Sequence, residues 1–173
     1  NNMLQSLFDS QIKTLGLVVS ILFFMFLILF RSIKLSLISL FPSILSISSV
    51  FGLMGWAEIP LDLMTITIAA ISMGIAVDDT IHYVHRFEHE FNITKNYNES
   101  MHRAHNSIGY AMYYTSITVI IGFSILIFSN FIPSIYFGLL TGMAMFIALF
   151  AALTLLPQLM IVIKPFGPEE SVA

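Results

Sequence analysis

Two adjacent aspartates, Asp78 and Asp79, sit inside a stretch that otherwise has the composition of a membrane span, MTITIAAISMGIAVDDTIHYVHRFEHE from Met64 to Glu90. An ionised side chain at the centre of a bilayer costs a few kcal/mol on insertion scales and about 10 or more in some simulations. A chain that keeps two of them there must supply partners from neighbouring helices, and an acid so placed is a functional-site candidate by default. The pair therefore sets the terms for everything else in the sequence.

The rest of the composition agrees with a membrane setting. Of the 173 residues 57% are hydrophobic and 10% charged, with a mean hydropathy of +0.90, whereas about a quarter of the residues in a soluble domain are charged. Spans of roughly 20 residues use most of the length, so residues 1–173 are expected to form a single all-α transmembrane bundle. The net charge of -3 and the lack of basic runs imply no nucleic-acid partner. Zero cysteines leave no disulfide framework and no thiolate metal site. The opening NNMLQSLFDSQIK lacks an initiator Met and the basic-then-apolar pattern of a signal peptide, which suggests a fragment of a larger protein.

Five spans are predicted, at about residues 15–30, 35–57, 63–85, 110–128 and 135–163. The first follows an amphipathic lead-in and ends at Arg31 and Lys34; the second carries Pro42 and a row of Ser36, Ser39, Ser43 and Ser46 on one face, read as a packing face. Glu58 to Asp62, next to Trp56, and Ser129 to Ser134 are the outer turns. Arg86 to Ser107 forms a short cytoplasmic amphipathic segment, and after Lys164 the tail PFGPEESVA looks disordered. All Lys and Arg but Lys13 then fall on one side, which the positive-inside rule makes cytoplasmic, with the N-terminus outside. Gly138, Gly142, Ala144, Ala148 and Ala152 give the fifth span a small-residue packing face. Gly74 and Gly122 are the packing glycines of the third and fourth spans.

In a helix Asp78 and Asp79 diverge by about 100°, and residues three and four apart are the ones that meet. His82 then lies near both acids, and Tyr83 and Arg86 continue the stripe of Asp79 towards the cytoplasm, a path along which a proton can move. Thr115 and Thr118 are candidate hydroxyl donors to the acids, although threonines in membrane helices also bond their own backbone. The proton-relay set is thus Asp78, Asp79, His82, Tyr83, Thr115 and Thr118. His82, His85, His89, His102 and His105 raise a metal reading, a His-box membrane oxidase; most of them sit among Arg and Glu in the amphipathic segment, so a solvated surface is preferred, with no metal and no cofactor.

The run GIAVDDTIHYVHRFEHE, with its Gly74, Asp78 and Asp79 core, resembles the fourth or tenth transmembrane helix of the resistance-nodulation-cell division superfamily, in its mycobacterial-membrane-protein-large, hopanoid-exporter and Patched/Dispatched-like branches. TSITVIIGFSILIFS is similar to the helix that follows in that family. The resemblance implies the five-helix part of the C-terminal half of a proton-driven exporter of lipids or other hydrophobic molecules, not an enzyme. It also implies partners: membrane lipids, a hydrophobic substrate, an oligomer, and the missing N-terminal half and porter domain. A bacterial inner membrane is the implied location. A rival from another class is a lipid-sensing module like the sterol-sensing domain, which is the same five-helix unit without obligatory pumping.

The topology is open to a direct test in this cysteine-free chain. Pro60→Cys and Phe131→Cys are expected to react with an impermeant thiol reagent from the outer side only. Reaction of either solely from the cytoplasmic side inverts the assignment.

Overall fold

No turn signal interrupts the apolar run after Lys13 until Arg31, and a single helix, α1 (Asn2–Phe30), carries the lead-in and first span together. The computed structural model describes residues 2–59 and 63–169. It continues with α2 (Ile33–Trp56), α3 (Leu63–Thr94), α4 (Tyr97–Ala104), α5 (Tyr110–Ser124) and α6 (Ile132–Ile163), with no strand among the described residues. A π-helical turn at His105–Gly109 joins α4 to α5 and a 3-10 turn at Ile125–Phe128 extends α5, so these pieces form one helical column. Five columns result, as the sequence leads one to expect. The outer turn loses its residues 60–62 to the undescribed part, as the tail loses residues 170–173.

Four stretches, Ile12–Phe30, Ile33–Trp56, Tyr97–Phe128 and Ile132–Ile163, are long and apolar enough to cross a membrane among the described residues. The exception, α3, is 32 residues long, roughly 48 Å at 1.5 Å per residue, and carries Asp78 and Asp79 midway and a polar half beyond them. It runs past the expected end at His85 without a break, so the amphipathic segment is built from the C-terminal end of α3 with α4 folded back on it.

The helix α6 is the hub, packing against α2, α3 and α5, while α1 lies at the edge against α2. The reason is compositional: Gly138, Gly142, Ala144, Ala148 and Ala152 are all buried and let three neighbours approach. The serine row of α2 is likewise turned inward, and Ser46 Oγ donates to the Ala144 carbonyl at 2.7 Å. Exposed Ile12, Leu17, Ile21, Phe24 and Ile28 leave the outer flank of α1 to lipid.

Helix ends are written by charged residues. Arg31, Lys95 and Lys164, which follow α1, α3 and α6, adopt left-handed backbone with φ of 50°, 53° and 48°, and Glu58 does so after α2. The three cations share one end of the bundle. There they complement the negative ends of their helices, and Asn96 caps α4 by accepting from Glu99 N–H at 3.1 Å. Pro157 does not break α6, and Pro42 does not break α2.

Of the four glycines expected to serve packing, Gly138 does so most tightly. A Cβ there would stand 2.5 Å from the Phe123 carbonyl oxygen and 2.8 Å from the Leu126 Cβ, whereas at Gly142 the nearest atom, Ser124 Oγ, is at an ordinary 3.9 Å. A Cβ added at Gly74 or Gly122 would meet nothing within 4 Å; both lie on exposed helix faces, so within this chain they pack against no one. Gly138→Ala is expected to lower stability by about 1–3 kcal/mol, the usual cost of overpacking, and Gly122→Ala to stay within about 0.5 kcal/mol of the parent. Thermal unfolding in detergent measures both, and equal effects would contradict the close α5–α6 crossing.

Candidate functional site

The helical period that separates Asp78 from Asp79 sends them into different surroundings. Asp79 is 7% exposed, turned towards α5, where Ser116 Oγ donates to its Oδ2 at 3.2 Å. Ser116 is itself buried and lies two turns into α5, on the face that meets α3. The hydroxyl partner of the acid is thus neither Thr115 nor Thr118. Thr115 Oγ1 donates to the Ala111 and Met112 carbonyls and Thr118 Oγ1 to the Tyr114 carbonyl, each filling the acceptor on its own helix. Ser116 sits between them, one residue from Thr115, and only the tertiary arrangement selects it.

Asp78 faces out. Its side chain is 72% exposed and its sole ion-pair partner among the described residues is His82, whose Nε2 lies 3.5 Å from Oδ1 one turn along the helix. Between α3 and α5 the two acids, His82, Thr115 and Ser116 line a groove of about 340 Å³, walled elsewhere by apolar side chains such as Ile75 and Met112. The groove opens on a face where Gly74, Asp78 and His82 on α3 run beside Ala111, Thr115, Thr118 and Gly122 on α5, all exposed. Small and polar side chains therefore stripe this face, next to residues that lipid would cover.

Tyr83 is fully buried one turn beyond Asp79, but its hydroxyl is engaged elsewhere, 3.1 Å from His105 Nδ1. Arg86 also does not turn to the aspartates. Its Nη2 lies 2.8 Å from the buried Glu90, which Arg103 approaches at 3.9 Å while holding Glu99 at 2.6 Å. This knot ties α3 to α4. The histidines separate accordingly: His82 joins Asp78, His85 sets its ring edge against Phe30, and His89 and His102 are exposed. His105 departs from the expected solvated surface, because it is half-buried between three helices. Among the described residues no three His, Asp or Glu side chains converge as a metal site would require.

The tail is not loose as far as Glu169. Phe166 stacks on Phe87, Phe91 and Tyr97 with ring centroids 5.6–6.4 Å apart. The Tyr97 hydroxyl accepts from Phe166 N–H at 2.9 Å and donates to the Gly167 carbonyl at 3.0 Å. Glu169 closes the clasp, accepting from Tyr97 N–H and from Lys164 Nζ, both at 3.2 Å. An aromatic in a short polar tail was the available signal for this docking. The Tyr97 N–H and the Lys164 ammonium hold the Glu169 carboxyl below the usual carboxylate range. A depressed folded-state value contributes stability above the unfolded value that is lost as pH falls through the folded one. The clasp is therefore expected to hold at neutral pH and loosen in acid: hydrogen exchange at the Phe166 and Tyr97 amides should speed up several-fold, beyond the intrinsic pH effect. Glu169→Gln should remove that pH dependence.

The chain is 27% identical over 155 residues to membrane protein MJ1562 of Methanocaldococcus jannaschii, an alignment that covers 90% of this chain and 39% of that protein. The chain thus spans well under half the length of this relative. No solved structure matches it. The family model for MMPL matches residues 1–171, so helices, groove and docked tail all lie within it, and the chain belongs to the MMPL family of integral membrane proteins in the resistance-nodulation-cell division superfamily.

Proposed function

We propose that this chain is the transmembrane part of a proton-driven exporter of lipids or other hydrophobic molecules, with Asp78 and Asp79 in its proton relay. The observation that carries the reading is the pairing of one buried and one outward-facing acid at the mouth of a single groove. Among the described residues Asp79 has only a neutral hydroxyl within hydrogen-bond reach, so a cation brought close from elsewhere changes the balance between its two protonation states. A motion that brings and removes such a cation couples proton uptake to conformation. Each elementary charge moved through 100 mV is worth about 2.3 kcal/mol, comparable to the difference between two states of a rocking bundle.

The partner follows from the face around Asp78. A carboxylate side chain 72% exposed in this chain is too costly to leave against hydrocarbon, and the small-residue stripe beside it suits the close approach of another helix. That occupant is the other half of the transporter, with the porter domain completing the export path. Oligomers of the whole are compatible with it. The five helices alone are then expected to insert without moving substrate.

In the intact transporter, Asp78→Asn and Asp79→Asn are expected to reduce export under a pH gradient to background while leaving insertion unchanged, because an amide keeps the shape and cannot titrate. His85→Ala and His89→Ala are expected to export normally. Export by both asparagine variants at the parent rate would make the aspartates structural, and loss of activity together with bound iron in the histidine variants would favour oxidase chemistry.

A further inference from the structure

All the basic residues but Lys13 gather at the end of the bundle where α1 stops and α2 starts. Three of them are matched to acids: Lys164 to Glu169 at 3.2 Å, and Arg86 and Arg103 to Glu90 at 2.8 and 3.9 Å. Arg31, Lys34 and Lys95 make no ion pair among the described residues. Lys95 has a ring instead, its Nζ 5.9 Å from the Phe91 centroid. Arg31 and Lys34 have neither, and both are exposed. Asp9, the acid of α1, is at that helix's other end, and α2 carries no acid. On α3, whose His85 ring meets Phe30, Glu88 also holds no ion pair, so it does not answer them.

Two cations three residues apart repel each other, and Lys34 has a second disadvantage. It stands in the first turn of α2, where free N–H groups already make the helix end positive. Nothing among the described residues offsets that charge. An apolar stripe begins beside it. Ile33, Leu37, Phe41 and Ile44 are exposed, and their spacings of four, four and three place them on one face of α2. The stripe rises about 16 Å at 1.5 Å per residue, close to the depth of one leaflet, half of a hydrocarbon core roughly 30 Å thick. Two unanswered cations at the head of such a stripe are the complement of an anionic amphiphile, which carries its charge at the headgroup level and a chain running down from it.

We propose that the α1–α2 turn binds one anionic phospholipid, its phosphate held between Arg31 and Lys34 and one acyl chain laid along Ile33, Leu37, Phe41 and Ile44. The guanidinium offers paired N–H donors to two phosphate oxygens, and the ammonium acts as a point charge. A phosphate there removes the repulsion between the two cations and opposes the positive end of α2. It also has a place in the packing: Arg31 closes α1, the edge helix, and Lys34 lies in the first turn of α2, so one headgroup bridges the two. A zwitterionic phosphatidylcholine brings its own cation to the site and is a poorer fit. Neither Arg31 nor Lys34 belongs to the relay set, and the site stands whether or not Asp79 carries protons.

The test is native mass spectrometry of the delipidated full-length protein in detergent, with phosphatidylglycerol or phosphatidylcholine added. The parent is expected to hold one phosphatidylglycerol more tightly than phosphatidylcholine. Arg31→Gln and Lys34→Gln should each weaken that binding about fivefold, and the double variant roughly thirtyfold. Lys34→Arg, which keeps the charge, should bind as the parent does. Lys95→Gln is the control for general attraction to a basic end and should also bind as the parent. In detergent the direction of insertion plays no part. Phosphatidylglycerol binding by the double variant at the parent's affinity overturns the proposal, as does an equal loss in Lys95→Gln. Equal affinity for the two lipids overturns it too, and so does displacement by millimolar inorganic phosphate, which would make the site one for soluble anions.

Discussion

The hydrogen bond from Ser116 to Asp79 is the polar link between α3 and α5, and the packing of both on α6 is what the bundle depends on. In hydrocarbon, polar groups have no water to fall back on and must be satisfied within the protein, so a carboxyl on α3 requires a hydroxyl on α5 at one depth and angle. That requirement is met across the groove between the two helices, which touch little otherwise. The small face of α6 makes it possible, since α2, α3 and α5 all close on the same helix. Several other hydroxyls obey the same rule locally: Thr80, Thr115 and Thr118 bond carbonyls one turn back, and Ser46 reaches across to Ala144, whereas the buried hydroxyls of Ser39, Ser43, Ser72 and Thr141 have no partner.

Much of this was legible from residue order because the signals are local. Long apolar runs, their basic ends and the small-residue period of α6 determine helices and their packing faces without tertiary knowledge. The split between Asp78 and Asp79 also follows from the 100° step of a helix. What did not follow was the identity of partners. Ser116 lies beside two threonines of similar chemistry, and the sequence reading named only the threonines; the rotation of α5 against α3 selects the serine. His105 is the same kind of case, since its spacing from His102 mimics a surface motif while its true neighbours are 22 and 48 residues away.

The amphipathic segment shows how a polar stretch can be structural as well as solvated. Charges at Arg86, Glu90 and Arg103 read as surface, yet Glu90 is 5% exposed and gathers both arginines. Aromatic residues at Phe87, Phe91 and Tyr97 alternate with those charges and pack against the half-buried Phe166. The C-terminal end of α3 is thereby fastened twice, by ions to α4 and by rings to the tail, so that α3 and the tail move together if α3 moves at all.

The left-handed residues that finish α1, α3 and α6 have a bearing on how the chain enters its membrane. Left-handed backbone costs a side-chain-bearing residue roughly 1–2 kcal/mol, and glycine would relieve it. At each of these three positions the residue is instead a cation, and at Arg31 and Lys164 it stands at the edge of an apolar stretch, where basic charge is the quantity by which an inserting chain is oriented. One side chain thus serves as both stop signal and compass. A version of this protein optimised for helix termination alone would keep its fold and give up half of the basic residues gathered at that end.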